Sequence, residues 1–370
     1  MQQVGIDVAR FEHDPANGAA RGLFMESART NVITDSDAPE KWAPYGIRVS
    51  TDATRASDGK TLARKITEDT SSGVHALSQP HSITATNATY SLWFRLKAAE
   101  RSIAQVMLTD SGSVDNCCAN FDLIACKVET TYKGIGAWRL SAASCIPMAN
   151  GWAECRISGY VTNATTLRAN LYAMQADQLE HKYQGDGVSG FYFGGAQMEP
   201  GLSSSYIPTT TAAVPRYSDF LSTSDLSWLN PTVGTLLIDG AFNGVLGGGM
   251  FAFSLDDGTN NGIGIYKALG TGNVNAYSSS TTGTPLGVVL ADGQRFRSAI
   301  TWNNAGASAS ASINGRAALP IVGANPVTPT ELCIGSARNH QFSSNVCARS
   351  LTYWPERIAD ADLTALTVVT

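Results

Sequence analysis

The sequence predicts an all-β protein: two tandem antiparallel β-sandwich domains of jelly-roll type, followed by a short C-terminal helix. Three observations carry that reading. Charged residues make up only 15 % of the 370-residue chain, against about 25 % in an average globular protein. Short β-branched and aromatic runs recur, each bounded by Gly, Asn, Asp, Ser or Pro, as in strands that bury one face. The series is interrupted once, by a turn-rich exit at 183–208, and a chain this long can bury two cores. The expected partition is a leading segment at 1–21, a first sandwich at 22–210, a linker at 211–219 and a second sandwich at 220–370.

In the first domain the expected strands are 46–50, 61–66, 88–96, 103–108, 138–140, 151–158 and 167–172. In 88–96, Tyr90, Leu92, Phe94 and Leu96 share one face and Ser91, Trp93 and Arg95 the other, which turns Trp93 away from the main core. Gly185, Asp186, Gly187 and Gly190 supply a tight turn before the aromatic strand Phe191–Phe193, and Pro200-Gly201 and Pro208 close the unit. The threonines and Pro215 of 209–218 read as a linker.

In the second domain the expected strands are 235–242, 250–255, 262–266, 274–277, 286–290, 296–302, 307–313 and 346–354. Asn314-Gly315 is the strongest hairpin signal in the chain. After Tyr353-Trp354, a helix with Ile358, Leu363 and Leu366 on one face ends the sequence.

Two segments carry a family resemblance. Arg21-Gly22-Leu23-Phe24-Met25-Glu26-Ser27-Ala28-Arg29-Thr30-Asn31, with Trp42 after it, opens the first domain. At its end come Gly185-Asp186-Gly187-Val188-Ser189-Gly190, then Gly195-Ala196-Gln197-Met198-Glu199, then Ser205-Tyr206-Ile207-Pro208-Thr209. Together they resemble phage tail-fibre and head-spike-fibre proteins, including the head spikes of gene-transfer agents. Phe193 stands where that family commonly has tryptophan, and Pro215-Arg216-Tyr217-Ser218-Asp219 replaces a more alanine-rich exit. The resemblance implies a carbohydrate-binding-module-like jelly roll. The C-terminal Leu351–Thr367 stretch resembles concanavalin A-like, laminin G-like sandwiches of phage fibres. The segment around 6–15 resembles one that follows an upstream region in related fibres, so a fragment or a fibre with a shortened shaft is expected.

Chemistry is sparse at this level. The net charge of −5 argues against an electrostatic grip on nucleic acid or anionic lipid. No apolar run reaches the roughly 18 residues of a bilayer span, and the polar start is unlike a signal peptide. The seven cysteines lack C-x-x-C spacing and read as buried thiols, with Cys145–Cys155 and Cys333–Cys347 as alternative cross-strand pairs. The five histidines are scattered and are expected at the surface. No nucleophile, carboxylate constellation or nucleotide motif declares itself, so no enzyme is expected.

Sugar recognition needs flat aromatic faces beside polar side chains. The candidates are Trp42, Tyr45, Tyr132 and Trp138 in the first domain, and Asp256, Asp257, Asn260, Asn261, Arg338, Asn339 and His340 in the second. Asp256 and Asp257 also suggest a Ca²⁺ turn, although the spacing differs from an EF-hand. The expectation is a non-enzymatic virion fibre, made in the bacterial cytoplasm and acting at the host cell surface. Its expected partners are host polysaccharide, other virion proteins and further copies of itself, a trimer being one option. The alternatives are a capsule depolymerase and a purely structural fibre module.

Overall fold

The computed structural model describes residues 9–14, 18–56, 59, 61–82, 87–112, 114–175, 181–243, 249–259, 261–269, 271–278, 283–337 and 343–370, with side chains 52, 53, 82 and 132–135 outside the description. The described residues form antiparallel sheets, two short 3₁₀ turns and one α-helix, Asp360–Leu366. No helix among them is long and apolar enough to cross a membrane. The chain divides into two compact units, and each is a β-sandwich.

The first unit comprises Arg29–Arg216. One of its sheets runs, edge to edge, Lys127–Ile135, Asn116–Asp122, Ile103–Thr109, Thr166–Met174, Ala76–Ser82 and Ala43–Tyr45. The other runs Arg139–Pro147, Trp152–Val161, Ala88–Ala98, Gly190–Pro200, Leu62–Glu68 and Ile47–Arg55. Alternation along each strand sends Leu77, Val106, Phe121 and Leu171 from one sheet against Leu92, Phe94, Ile157 and Phe193 from the other. Trp93 is fully buried yet lies outside that core, ringed by Tyr206 and Arg95, as the alternation of 88–96 predicts.

The two recognisable motifs are structural fasteners. Asn31, fully buried, accepts from the Ile33 and Met198 N–H groups and donates to the Ile207 carbonyl at 2.8 Å and the Ala196 carbonyl at 3.3 Å. Gln197 accepts from Ile207 N–H, and Glu199 accepts from the Ser204 N–H and hydroxyl. The opening and exit segments therefore lock together. At the Gly185–Gly190 turn, Asp186 accepts from the N–H groups of Val188 and Ser189, while its own N–H, Tyr183 and Arg101 converge on buried Glu68. A Cβ on Gly185 would stand 2.0 Å from the Asp69 carbonyl oxygen, so only glycine fits there.

The second unit contains Ala19–Ala28 and Tyr217–Thr370 together with the strand Phe11–His13. Its seven-stranded sheet runs Phe11–His13, Ala20–Met25, Val346–Trp354, Val233–Phe242, Arg295–Asn303, Ser308–Ile313 and Leu319–Pro320. Its six-stranded sheet runs Leu221–Thr223, Glu331–Ile334, Met250–Asp256, Gly262–Lys267, Asn273–Ser278 and Thr284–Val289. Leu236, Phe242, Phe253, Ile265, Phe296 and Trp302 fill the space between them. Leu363 of the helix is buried with Leu237 and Ala299 on the outer side of the longer sheet. Asn314 and Gly315 have φ of 50° and 71°, the left-handed pair that the Asn-Gly signal predicts.

This partition differs from the expected one. Residues 20–25 pair with Val346–Ala348, so they complete the second unit's sheet instead of starting the first sandwich. Arg10 bridges Glu26 and Asp219, and Ser27 N–H donates to Asn345, which fastens the segment there. The expected linker is partly strand: Val214–Arg216 pairs with Arg29–Asn31. Strong hydrogen-bonding residues, not composition, set the boundary.

Two histidines are also inside, against the surface placement expected of them. His75 is fully buried between the carbonyl groups of Gly46 and Tyr183. Burial pulls His81 down to about 4, so it is neutral at pH 7. The seven cysteines are free thiols, five of them buried, with Cys126 and Cys145 half-buried.

Candidate functional site

The six-stranded sheet of the second unit turns Phe253, Leu255, Ile263, Ile265 and Ala276 into the core. Residues of opposite parity therefore share its outer face: Cys333, Ser254, Gly264 and Tyr277 form one register row, and Glu331, Asp256 and Gly262 the next. The Tyr277 ring spans the two glycines. A Cβ on Gly264 would lie 2.7 Å from its Cε1, and one on Gly262 would lie 3.2 Å from its Cε2. Phe251 stacks on Tyr266 at 5.3 Å, and both rings meet Tyr277 edge-on at 5.8 and 6.0 Å. All three rings are half-buried. The result is an aromatic plate laid on a sheet.

Two carboxylates border it. Asp256 and Glu331 are direct cross-strand partners, and one ligand atom from each, with Cys333 Sγ, lies within 4.8 Å of the others. Burial, with the charge of Asp256 nearby, pushes the Tyr277 hydroxyl above the ordinary phenol range, so it remains a donor at neutral pH. Burial and the neighbouring Glu331 and Asp256 push Cys333 up to about 12, so it remains a thiol.

The sequence candidates fare unequally. Asp256 is in the site, at 3 % exposure. Its neighbour Asp257 is not: strand alternation sends it into the following turn, where it accepts from Thr259 N–H and hydroxyl and from the Asn261 amide. The expected Asp256–Asp257 pair for Ca²⁺ therefore does not converge, and the trio that does converge includes a neutral thiol, which does not fit an all-oxygen Ca²⁺ shell. Asn261 serves as a turn former. Asn260, Arg338, Asn339 and His340 lie outside the described residues.

In the first unit, Trp42 and Trp138 are corrected to core residues, at 3 % and 0 % exposure. Trp42 packs edge-on against Phe94 and Phe193, and Trp138 donates its indole N–H to the Thr162 carbonyl at 3.0 Å. Neither ring can offer a face to a sugar. Tyr132 falls within the strand Lys127–Ile135 instead of a loop, and its side chain is outside the described part. Tyr45 is exposed on the short edge strand Ala43–Tyr45.

Sequence reasoning missed Glu331, Tyr266, Tyr277 and Phe251. A signal existed in Gly262-Ile-Gly-Ile, whose alternating glycines leave one face of a strand bare for a neighbour's ring.

No protein-family model matches the chain, and no curated protein sequence matches it either. Among solved structures, the chain is similar to the CBM40 of an IT-sialidase from Ruminococcus gnavus, at 12 % identity and TM-score 0.34, covering 40 % of this chain and 91 % of that one. It is similar to domains LG4-5 of the mouse laminin α1 chain, at 12 % identity and TM-score 0.28, covering 79 % and 88 %. It is also similar to Trypanosoma rangeli sialidase, at 9 % identity and TM-score 0.33, covering 83 % and 66 %.

Proposed function

We propose that this protein binds glycans without cleaving them, and that it does so as a fibre or spike of a phage or phage-like virion attached to host-surface polysaccharide. The observation that carries the binding role is the Tyr277 plate beside Asp256 and Glu331. An aromatic ring covers the apolar side of a pyranose, and the half-buried Glu331 carboxylate accepts from its hydroxyls, while Asp256, 3 % exposed, stays beneath the surface. The virion assignment is supported by the opening and exit motifs around Asn31 and Glu199. Weak single sites suffice on a particle that repeats them.

A glycan array with the intact chain tests the reading. Retention of neutral polysaccharides is expected, and Tyr277→Ala is expected to weaken it about 10-fold or more, the usual scale for a stacking contact. No retained neutral glycan, or retention unchanged in Tyr277→Ala, would refute it.

One observation favours a second reading, a polysaccharide-cleaving enzyme. A carboxylate oxygen of Asp256 and one of Glu331 lie within 4.8 Å of each other, a close acidic pair, and retaining glycosidases also work with two nearby carboxyl groups. New reducing ends after incubation with capsule, lost in Glu331→Gln, would replace the binding reading with this one.

A further inference from the structure

The Tyr277 plate has one carboxylate within reach of whatever is seated on it. Gly262, Asp256 and Glu331 stand in a single register row on three neighbouring strands. The Tyr277 ring lies over the first of these strands, and strands are about 4.8 Å apart, so the Glu331 backbone is about 9–10 Å from the seat of the ring. The Glu331 side chain closes part of that gap, because one of its oxygens lies within 4.8 Å of an Asp256 oxygen. A sugar on the ring can therefore meet Glu331 with an exocyclic group. Ring and carboxylate are both half-buried, so each keeps a side open to a ligand.

Charge balance sets this carboxylate apart. Elsewhere the chain gives its hidden acids a cation of their own: Arg101 meets Glu68 at 2.6 Å, Arg95 meets Glu154 at 2.9 Å and Arg295 meets Asp239 at 2.6 Å. Glu331 differs. Among the described residues, no arginine, lysine or histidine comes within 4.0 Å of its carboxylate. The groups that do come close are Asp256, a second acid, and the Cys333 thiol, which burial keeps neutral. A positive charge arriving on a ligand would relieve the repulsion that Glu331 feels from its neighbour. The rings favour the same visitor, since a cation is drawn to the negative π face of tyrosine, and more strongly where water is thin.

We propose that the Tyr277 face prefers glycans whose sugars carry a free amino group, the ammonium donating to Glu331 while the sugar ring covers Tyr277. This rests on the reading of that face as a glycan site and adds the class of sugar it selects. An ammonium brings three donors and a full charge, so its hydrogen bond to a carboxylate is shorter and stronger than that of a sugar hydroxyl. Tyr266, edge-on to Tyr277 at 6.0 Å, offers the same cation a second ring. Acetylating the amine removes the charge and leaves one amide N–H for Glu331. Neutral sugars still bind, but without this increment.

The test uses the intact chain, titrated calorimetrically with a glucosamine tetramer and with the same tetramer fully N-acetylated. The amine form is expected to bind about 10-fold tighter, the scale of one charge-assisted hydrogen bond. Glu331→Gln should erase that ratio, and Tyr277→Ala should weaken both forms together. Asp362→Asn, which removes one exposed charge from the C-terminal helix, should leave the ratio as it was; a ratio lost there too would mean bulk attraction of a polycation and would overturn the proposal. Should Glu331→Gln melt early, Glu331→Asp keeps the charge but withdraws it by one methylene, and a reduced ratio is expected. Equal binding of the two tetramers, tighter binding of the acetylated one, or a ratio that survives Glu331→Gln would overturn this proposal and leave the glycan reading standing. Binding of neither tetramer would overturn the proposal through the glycan reading on which it rests.

Discussion

Replacing Asn31 with alanine isolates the fastener that joins the two ends of the first unit. Four hydrogen bonds disappear, two accepted from Ile33 and Met198 N–H at 3.1 Å and two donated to the Ile207 and Ala196 carbonyls. Every partner atom is then left in a buried place. At about 1 kcal/mol per bond, with the 3.3 Å contact to Ala196 counted at less, the loss is about 3–4 kcal/mol. That is a large fraction of the roughly 5–15 kcal/mol by which a domain is stable. With a urea slope of about 2 kcal/mol/M, the midpoint of the first unit's transition should fall by about 1.5–2 M. Tryptophan fluorescence against urea reads the transition, with hydrogen exchange at Ile33 and Met198 reporting the local opening. A midpoint shift within about 0.3 M of the parent would refute the reasoning, because a fully buried amide with four partners cannot be that cheap to lose.

Three further outcomes are expected. Glu154 is buried between Arg95 and Arg156; burial pushes its carboxyl up, but the two guanidinium groups outweigh this and hold it below the ordinary range. Its contribution is therefore present above the unfolded value of about 4.3 and lost as pH falls through the lower folded value, so the stability gap between parent and Glu154→Gln should be several kcal/mol at pH 7 and shrink below about pH 4 in urea melts at each pH. Gly264→Ala sets a Cβ 2.5 Å from the Phe253 carbonyl oxygen and 2.7 Å from the Tyr277 ring, so it should displace the plate, lower the melting temperature and weaken neutral-glycan retention together. Cys126 Sγ lies 2.8 Å from Cys145 Sγ, and a mild disulfide-forming oxidant should join them, stapling the first unit's two sheets with about 3 kcal/mol of added stability for a loop of this size; non-reducing peptide mapping that found Cys145 joined to Cys155 instead would contradict the contact.

The parts of the fold that were legible in the sequence are those where one strand face is uniformly apolar. Tyr90, Leu92, Phe94 and Leu96 announce their face because period two and burial agree. The strand Asn116–Asp122 has no such contrast: Cys117, Ala119 and Phe121 go to the core while Asn116, Cys118 and Asn120 are hidden on the other side, so a strand buried on both faces reads as a polar loop. The candidate site was legible only at Asp256. Glu331 is distant in sequence and becomes its neighbour through strand pairing alone, and the Tyr277 plate exists because glycines on a different strand leave room for it. The tryptophans misled for a related reason, since a Trp flanked by Gly and Pro looks like a loop ligand even when its ring closes the end of a core.

The discontinuity of the second unit has a practical meaning for anyone cutting the gene. A C-terminal piece starting near residue 220 would lack Phe11–His13 and Ala20–Met25, and would bare the backbone edge of Val346–Ala348 that they cover. Such a piece should aggregate. The opposite excision is the natural one: Arg29 and Arg216 leave side by side in one antiparallel pair, while Ala28 N–H reaches Ser218 and Asp219 N–H reaches Glu26. Joining 28 directly to 217 would remove a whole sandwich as a cassette, and it is by exchange of that cassette that one scaffold could be refitted for a different surface.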